Sequence, residues 1–120
     1  MIGTEKQIDY AKSIIEGARA FNAHRAQDAR TRSYAEGRLA AIDLIRAIDE
    51  GRHDDAMKIM VTADVPMWVT GSYVIAASDG KGGWDRNRDI ESLDQVVVVA
   101  SNVIDALKGD YYAAKEAGLI

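Results

Sequence analysis

The sequence predicts a mainly α-helical, single-domain bundle of four to five helices over residues 1–120, with a short β-hairpin around residues 73–85 as an optional addition. Three observations favour this class. Only one of the 120 residues is proline, and proline is the residue that interrupts helices. Apolar residues recur at spacings of three and four behind helix-capping sequences. Hydrophobic residues make up 48% of the chain, which is enough for a buried core.

The first helix is predicted from about residue 5 to residue 21. Residues 4–7 read Thr-Glu-Lys-Gln, a capping box in which the Thr and Gln side chains each pair with a backbone N–H. The apolar positions that follow at helical spacing are Ile8, Ala11, Ile15 and Ala18. Residues 22–32 contain no apolar residue except alanine. They are therefore predicted to form either a mobile connection or an exposed, polar helical extension.

The clearest helical pattern begins with a second capping-box sequence at residues 33–36 and ends at Gly51. Its apolar positions, spaced by three, are Leu39, Ile42, Ile45 and Ile48. A short third helix is predicted to begin at Asp54 or Asp55 and to end before Pro66. Residues 67–77 mix β-branched and aromatic side chains, so they allow either a helix or a strand.

The last third of the chain begins with a predicted loop at residues 79–89, which carries three glycines among its first five residues and dense charge. A third capping box at residues 92–95 precedes four consecutive valines. The valines would also suit a buried strand, but the cap and the apolar spacing through Leu107 favour a helix from Val96. Gly109 is predicted to end that helix, with a last turn or two over residues 110–117.

Charge and composition exclude several classes of protein. The net charge is −4, and all of it falls in residues 61–120, which argues against a surface that grips a phosphate backbone throughout. The absence of cysteine excludes disulfide frameworks, thiolate metal sites and cysteine nucleophiles. Residues 1–4 are followed at once by charged side chains, and the longest apolar run is residues 96–100. We therefore expect a cytoplasmic protein with no signal peptide and no membrane span.

Three segments suggest metal or phosphate chemistry, and each lacks a required part. His53, which precedes two aspartates, has no second histidine three or four residues away. Residues 85–96 resemble a calcium loop, but Ile90 and Val96 replace its glycine and its bidentate glutamate. The glycine-rich residues 79–83 lack the spacing of a phosphate-binding loop. The sequence therefore predicts no catalytic residues, no metal site and no cofactor.

A candidate protein-binding surface lies in the glycine-rich loop. Trp84 has few local neighbours to bury it there, and large aromatic side chains beside arginines are enriched at interface hot spots. The residues assigned to this surface are Trp84, Arg86, Arg88, Asp79, Asp85 and Asp89. A homodimer is a further alternative, because small helical domains often bury leftover apolar surface against a second copy.

A second candidate surface is basic. Residues 19–38 contain five arginines against Asp28 and Glu36, a local charge of +3 inside an acidic chain. The residues that would contact nucleic acid are Arg25, Arg30, Arg32 and Arg38. On one continuous helix, Arg38 would point away from the others. A solvated polar helix and contact with an acidic protein surface are the alternatives for this segment.

Residues 4–11, Thr-Glu-Lys-Gln-Ile-Asp-Tyr-Ala, resemble the start of small uncharacterised proteins of phages, plasmids and other mobile elements. Those proteins begin with a Ser/Thr-Glu-Lys-Gln-Ile-x-Trp/Tyr-Ala helix. Many carry a later Ala-Lys-Trp-Trp-Ile-Asp run, of which residues 65–70 keep one tryptophan and lack the closing aspartate. The resemblance implies no established activity and assigns no site residue.

A non-enzymatic interaction protein is therefore the favoured function. Given the resemblance to proteins of mobile elements, the most concrete hypothesis within this class is an anti-CRISPR-like inhibitor that binds a host defence nucleoprotein by occlusion. The acidic second half would then face a basic groove that normally holds nucleic acid. The alternatives are a nucleic-acid-binding regulator that uses the arginines of residues 19–38 and, last, a small metal-dependent enzyme.

Overall fold

The protein is a helical bundle with a small antiparallel sheet, as the sequence predicts. The computed structural model describes residues 1–70, 74–78 and 93–120. The helices of this described part are α1 (Glu5–Arg25), α2 (Arg32–Asp49), α3 (His53–Thr62), α4 (Met67–Thr70) and α5 (Ala100–Glu116). Its strands are β1 (Ile75–Ala77) and β2 (Val96–Val98), and a 3-10 turn at Leu93–Gln95 leads into β2.

The capping box at the start of α1 is confirmed. The Thr4 hydroxyl accepts a hydrogen bond from the Gln7 backbone N–H at 3.1 Å, and the Gln7 side chain accepts one from the Thr4 N–H at 2.9 Å. Both backbone donors would otherwise lack a partner inside the helix. At its other end α1 continues to Arg25, four residues beyond the predicted end, and residues 26–31 form a hydrogen-bonded turn.

Replacing Thr4 with alanine is expected to lower the free energy of unfolding by about 1 kcal/mol, because the cap oxygen is lost. Urea denaturation followed by circular dichroism at 222 nm measures the change. Thr4→Ser keeps the oxygen and serves as the control, which should stay close to the wild type. Equal denaturation midpoints for Thr4→Ala and Thr4→Ser would contradict a stabilising role for the cap.

The predicted capping box at Ser33 is wrong. The helix α2 begins earlier, at Arg32, and Thr31 stands at the capping position without capping it. The Thr31 hydroxyl instead donates a hydrogen bond to the Arg25 carbonyl at 2.7 Å, which satisfies an acceptor at the end of α1. The helix α3 likewise begins one residue before the predicted aspartates, and Asp54 and Asp55 lie in its first turn, where carboxylates favour the helix dipole.

The predicted start of the last helix at Val96 is also wrong, because residues 96–98 form β2 and the helix begins at Ala100. This strand pairs antiparallel with β1, so that Ile75 lies opposite Val98. Val96 and Val98 are buried while the residue between them is half-buried, which is the period of two that a strand requires. The β-branched side chains fit this buried pleat. Pairing with the distant strand β1 therefore outweighs the local helical spacing of the valines.

The predicted β element is present, but its pairing differs from a local hairpin. The strand β1 lies within residues 73–85, whereas its partner β2 lies further along the chain, and most of the rest of that range is outside the described residues. On the other side of β2, Ile2 forms a parallel bridge with Val99. Residues 67–77, for which the sequence allows either a helix or a strand, contain one of each, because α4 and β1 lie within this segment.

Gly109 does not end the last helix. The helix α5 begins at Ala100 and passes through Gly109 to Glu116. Leu107 and Ala114, on either side of the glycine, are both fully buried. The apolar face therefore continues across the glycine, and burial of that face offsets the cost of about 1 kcal/mol that glycine carries in a helix.

Two pairings of helices organise the core. The helices α1 and α5 run in the same direction, because Ala100 bonds to Ile2 at one end and Asn22 bonds to Asp110 further along. The helix α2 runs antiparallel to α1, with Arg19 beside Asp43. The largest fully buried apolar side chains of the core are Ile14, Ile42, Leu44, Ile45, Ile75, Leu107, Val69, Val74, Val98 and Val103.

Candidate functional site

The two predicted binding surfaces fare differently. The residues of the first surface, which was assigned to protein contact, lie outside the described part of the chain, so that surface stays a prediction. They are Trp84, Arg86, Arg88, Asp79, Asp85 and Asp89. The arginines of the second surface are all described and meet where α1 ends and α2 begins. We call this region the arginine–tyrosine corner, and its members are Arg25, Arg30, Arg32, Tyr34 and Arg38.

Tyr34 is the centre of the corner. The Arg25 guanidinium lies 5.1 Å from the centroid of its ring, and the Arg38 guanidinium lies 5.6 Å from the same centroid. Both contacts are within the range of cation–π attraction. The prediction that Arg38 points away from Arg25 is wrong, because the turn at residues 26–31 breaks the helix and folds α2 back against α1.

The stack extends on both sides of Tyr34. Arg25 also lies 5.2 Å from the ring of Phe21, and Arg38 lies 5.3 Å from the ring of Trp68. Aromatic and guanidinium groups therefore alternate from α1 through α2 to α4. Each contact is worth about 0.5–1 kcal/mol at an exposed site, so the stack holds the two arginines in defined positions.

Arg38 is an internal anchor of the fold. Its Nε atom lies 2.8 Å from Oδ2 of Asp110 in α5, and its side chain is only 12% exposed. One more nitrogen donates to the Ala106 carbonyl at 3.4 Å. The same oxygen of Asp110 accepts a hydrogen bond from the Asn22 side chain at 2.9 Å. Arg38 therefore joins three helices and cannot serve as a free phosphate contact.

Arg30 and Arg32 stabilise the turn between α1 and α2. Arg30 bonds to Asp28 through its side chain, at 3.2 and 3.4 Å, and through its backbone N–H, at 3.0 Å. These hydrogen bonds hold the pKa of Asp28 below its usual value, and those from the Arg30 side chain have the larger effect. The Arg32 Nε donates to the Ala26 carbonyl at 3.0 Å, an acceptor that the end of a helix otherwise leaves open.

The net charge of the corner is smaller than the sequence suggests. Two of the five arginines in residues 19–38 are neutralised from elsewhere in the fold, Arg19 by Asp43 and Arg38 by Asp110. The charges of the three remaining arginines and of the segment's two carboxylates, Asp28 and Glu36, sum to a local charge of +1. Tracking a nucleic-acid backbone requires several phosphate contacts, and this corner offers few.

The surface that remains accessible combines one aromatic ring with arginines. Tyr34 is 58% exposed, and the Arg30 side chain is 88% exposed. Arg32 is exposed and Arg25 is half-buried. Tyrosine and arginine are enriched among the residues that dominate binding energy in protein interfaces. Because the stack already orders Arg25, binding a partner costs less side-chain entropy there.

Sequence reasoning missed the buried members of this region. Asn22 is fully buried, although its polar segment was not expected to enter the core. Its Nδ2 donates to the Ala18 carbonyl and to Asp110, and its Oδ1 has no hydrogen-bond partner among the described residues. Asp110 directly follows Gly109, at which the helix was expected to end. No local pattern marks either residue, because their partners lie far away in the sequence.

Comparison of the chain with models of protein families, with curated proteins and with solved structures finds no match. In the described part of the chain, no three His, Asp or Glu side chains come together as ligands for a metal ion. His53, the histidine considered for that role, lies 3.6 Å from Asp94. No helix in residues 1–70 or 93–120 has both the length and the apolar character needed to cross a bilayer.

Proposed function

We propose that this protein is a non-enzymatic interaction protein that binds an acidic surface of another protein through the arginine–tyrosine corner. The observation that carries the proposal is Tyr34, a large ring that is 58% exposed and held by two guanidinium groups. An exposed aromatic side chain that is already ordered is a typical interface anchor. The neighbouring Arg30 and Arg32 favour a partner that presents carboxylates.

A protein partner fits the corner better than nucleic acid for two reasons. The first is the local charge of +1, which gives a weak electrostatic hold on phosphates. The second is that the ring of Tyr34 already contacts two guanidinium groups, whereas a protein that stacks bases needs open aromatic faces. The regulator that acts through Arg25, Arg30, Arg32 and Arg38 is therefore the second candidate, and Arg38 in particular is committed to Asp110.

The most concrete form of the proposal is an inhibitor that binds a host defence nucleoprotein and blocks it by occlusion. What supports this form is the resemblance of residues 4–11 to mobile-element proteins and the acidic second half of the chain. The corner would contact an acidic protein surface of the nucleoprotein, and the acidic half would face its basic, nucleic-acid-binding groove. Trp84 and the charged residues around it would add a second contact. Complementary potentials would raise the association rate and set the orientation of such a complex.

The test is affinity capture from host lysate with mass spectrometry, followed by affinity measurement on the purified partner. Tyr34→Ala should weaken binding about tenfold or more, since hot-spot residues contribute at least about 1–2 kcal/mol. Tyr34→Phe keeps the ring and should retain most of the binding. Arg30→Gln should weaken binding, whereas Arg52→Gln, an exposed ion-paired arginine at the start of α3, should not.

Two results would overturn the proposal. One is a captured partner whose affinity is the same for Tyr34→Ala, Arg52→Gln and wild type, with the fold verified by circular dichroism. The other is tight binding of a DNA oligonucleotide at about 50 mM salt that falls steeply as salt is added, which would favour the nucleic-acid regulator. A rise in melting temperature with a divalent metal ion would instead point to the enzyme.

A further inference from the structure

A cleft with charged walls lies between α1 and α2, on a part of the surface that the arginine–tyrosine corner does not use. Its volume is about 290 Å³, near the lower end of the roughly 300–1,000 Å³ range of ligand pockets. The residues that line it are Lys12, Ile15, Glu16, Arg46, Asp49 and Glu50. Ile15 is buried and supplies the apolar part of the lining. The size suits a small metabolite.

Three of the charged groups in this cleft have no ionic partner among residues 1–70, 74–78 and 93–120. Asp49 and Glu50 are already paired. Asp49 accepts a hydrogen bond from the Met1 ammonium group at 2.7 Å, and a Glu50 carboxylate oxygen lies 3.3 Å from Nε of Arg52. Lys12, Glu16 and Arg46 form no ion pair within the part of the chain that the structure describes. The cleft therefore presents two cations and one carboxylate that a ligand could engage without breaking an existing bridge.

The register of the two helices places these groups relative to one another. Arg19 of α1 contacts Asp43 of α2 at 3.2 Å. Glu16 lies one turn before Arg19 in α1, and Arg46 lies one turn after Asp43 in α2. Because the helices are antiparallel, Glu16 and Arg46 therefore lie at the same height along the helix pair. Lys12 lies a further turn away, about 5.4 Å along the axis. A carboxylate and a cation thus share one level of the cleft, and a second cation lies beyond them.

We propose that this cleft binds a free acidic α-amino acid, glutamate or aspartate. The α-carboxylate pairs with Arg46, whose guanidinium matches a carboxylate in geometry. The α-ammonium group pairs with Glu16. The second carboxylate, carried on the ligand's side chain, reaches Lys12. This ligand neutralises all three unpaired groups, whereas a simple carboxylic acid would leave Glu16 without a partner.

The test is a titration of the full-length, ¹⁵N-labelled protein with millimolar L-glutamate, followed by amide chemical shifts. Saturable shifts should centre on residues 12–16 and 46–50. Glutarate, which lacks the ammonium group, and L-glutamine, which lacks the second carboxylate, should bind at least about tenfold more weakly. Arg46→Gln and Glu16→Gln should each abolish saturation, while Lys58→Gln on α3 should leave it unchanged.

Three outcomes would overturn the proposal. They are an absence of saturable shifts at the cleft, equal affinity for glutamate and glutarate, and unchanged binding in both Arg46→Gln and Glu16→Gln. Because the same spectra report whether each variant is folded, loss of binding can be told apart from loss of structure. The proposal is independent of the corner, so Tyr34→Ala should bind glutamate as the wild type does.

Discussion

Replacing Asp110 with alanine is expected to lower the free energy of unfolding by about 3 kcal/mol. The carboxylate accepts hydrogen bonds from Arg38 and from Asn22, and its side chain is only 17% exposed. Without it, the Arg38 guanidinium stays largely buried without a counter-charge, and Asn22 loses one of its two acceptors. Urea denaturation monitored by far-ultraviolet circular dichroism measures the change.

An exposed ion pair between α1 and α2 provides a matched control. Arg19 and Asp43 are each more than 40% exposed, so Asp43→Ala should cost less than about 1 kcal/mol. The double variant Arg38→Met/Asp110→Leu removes both buried charges and should be more stable than Asp110→Ala alone. If Asp110→Ala costs no more than Asp43→Ala, the three-helix junction does not depend on this bridge.

Replacing Gly17 with alanine is expected to destabilise the protein by about 1–2 kcal/mol. A Cβ atom at this position would lie 2.5 Å from Cδ2 of Tyr111 and 3.0 Å from Cδ1 of Ile120. Such overpacking costs about 1–3 kcal/mol, which exceeds the gain of about 1 kcal/mol from the better helix propensity of alanine. Differential scanning calorimetry should show a lower melting temperature.

Gly109 is the control, because it is also helical and a Cβ atom there meets no atom of the described residues within 4 Å. Gly109→Ala should therefore stabilise the protein by up to about 1 kcal/mol. In a Tyr111→Ala background, the added methyl group at Gly17 has room, and Gly17→Ala should become neutral or stabilising. A penalty that persists in that background would place its cause outside the contact with Tyr111.

The helices could be predicted from the sequence because their cause is local. The capping box at Thr4 and the apolar stripe through Ile42 and Ile45 depend on residues three or four positions apart, and both are present in the structure. The strand at residues 96–98 could not be predicted in the same way. Its valines also fit a helical stripe, and only the pairing with β1 decides between the two structures.

The candidate site was predictable only in its exposed part. The excess of arginine and the presence of Tyr34 can be read from residues 19–38. The neutralisation of Arg38 cannot, because Asp110 lies 72 positions away. Asn22 shows the same limit, since its bond to Asp110 spans 88 positions. Pairings at such distances follow from the way the helices pack, which composition and spacing do not specify.

The side-by-side packing of α1 and α5 has a consequence for how the protein is made. The face of α1 that packs against α5, where Gly17 lies close to Tyr111, has no partner until residues 100–116 have been synthesised. Closing so long a loop costs entropy before any contact repays it. During translation, the nascent α1 therefore exposes apolar surface to solvent and chaperones, and cooperative folding waits until α5 has emerged from the ribosome.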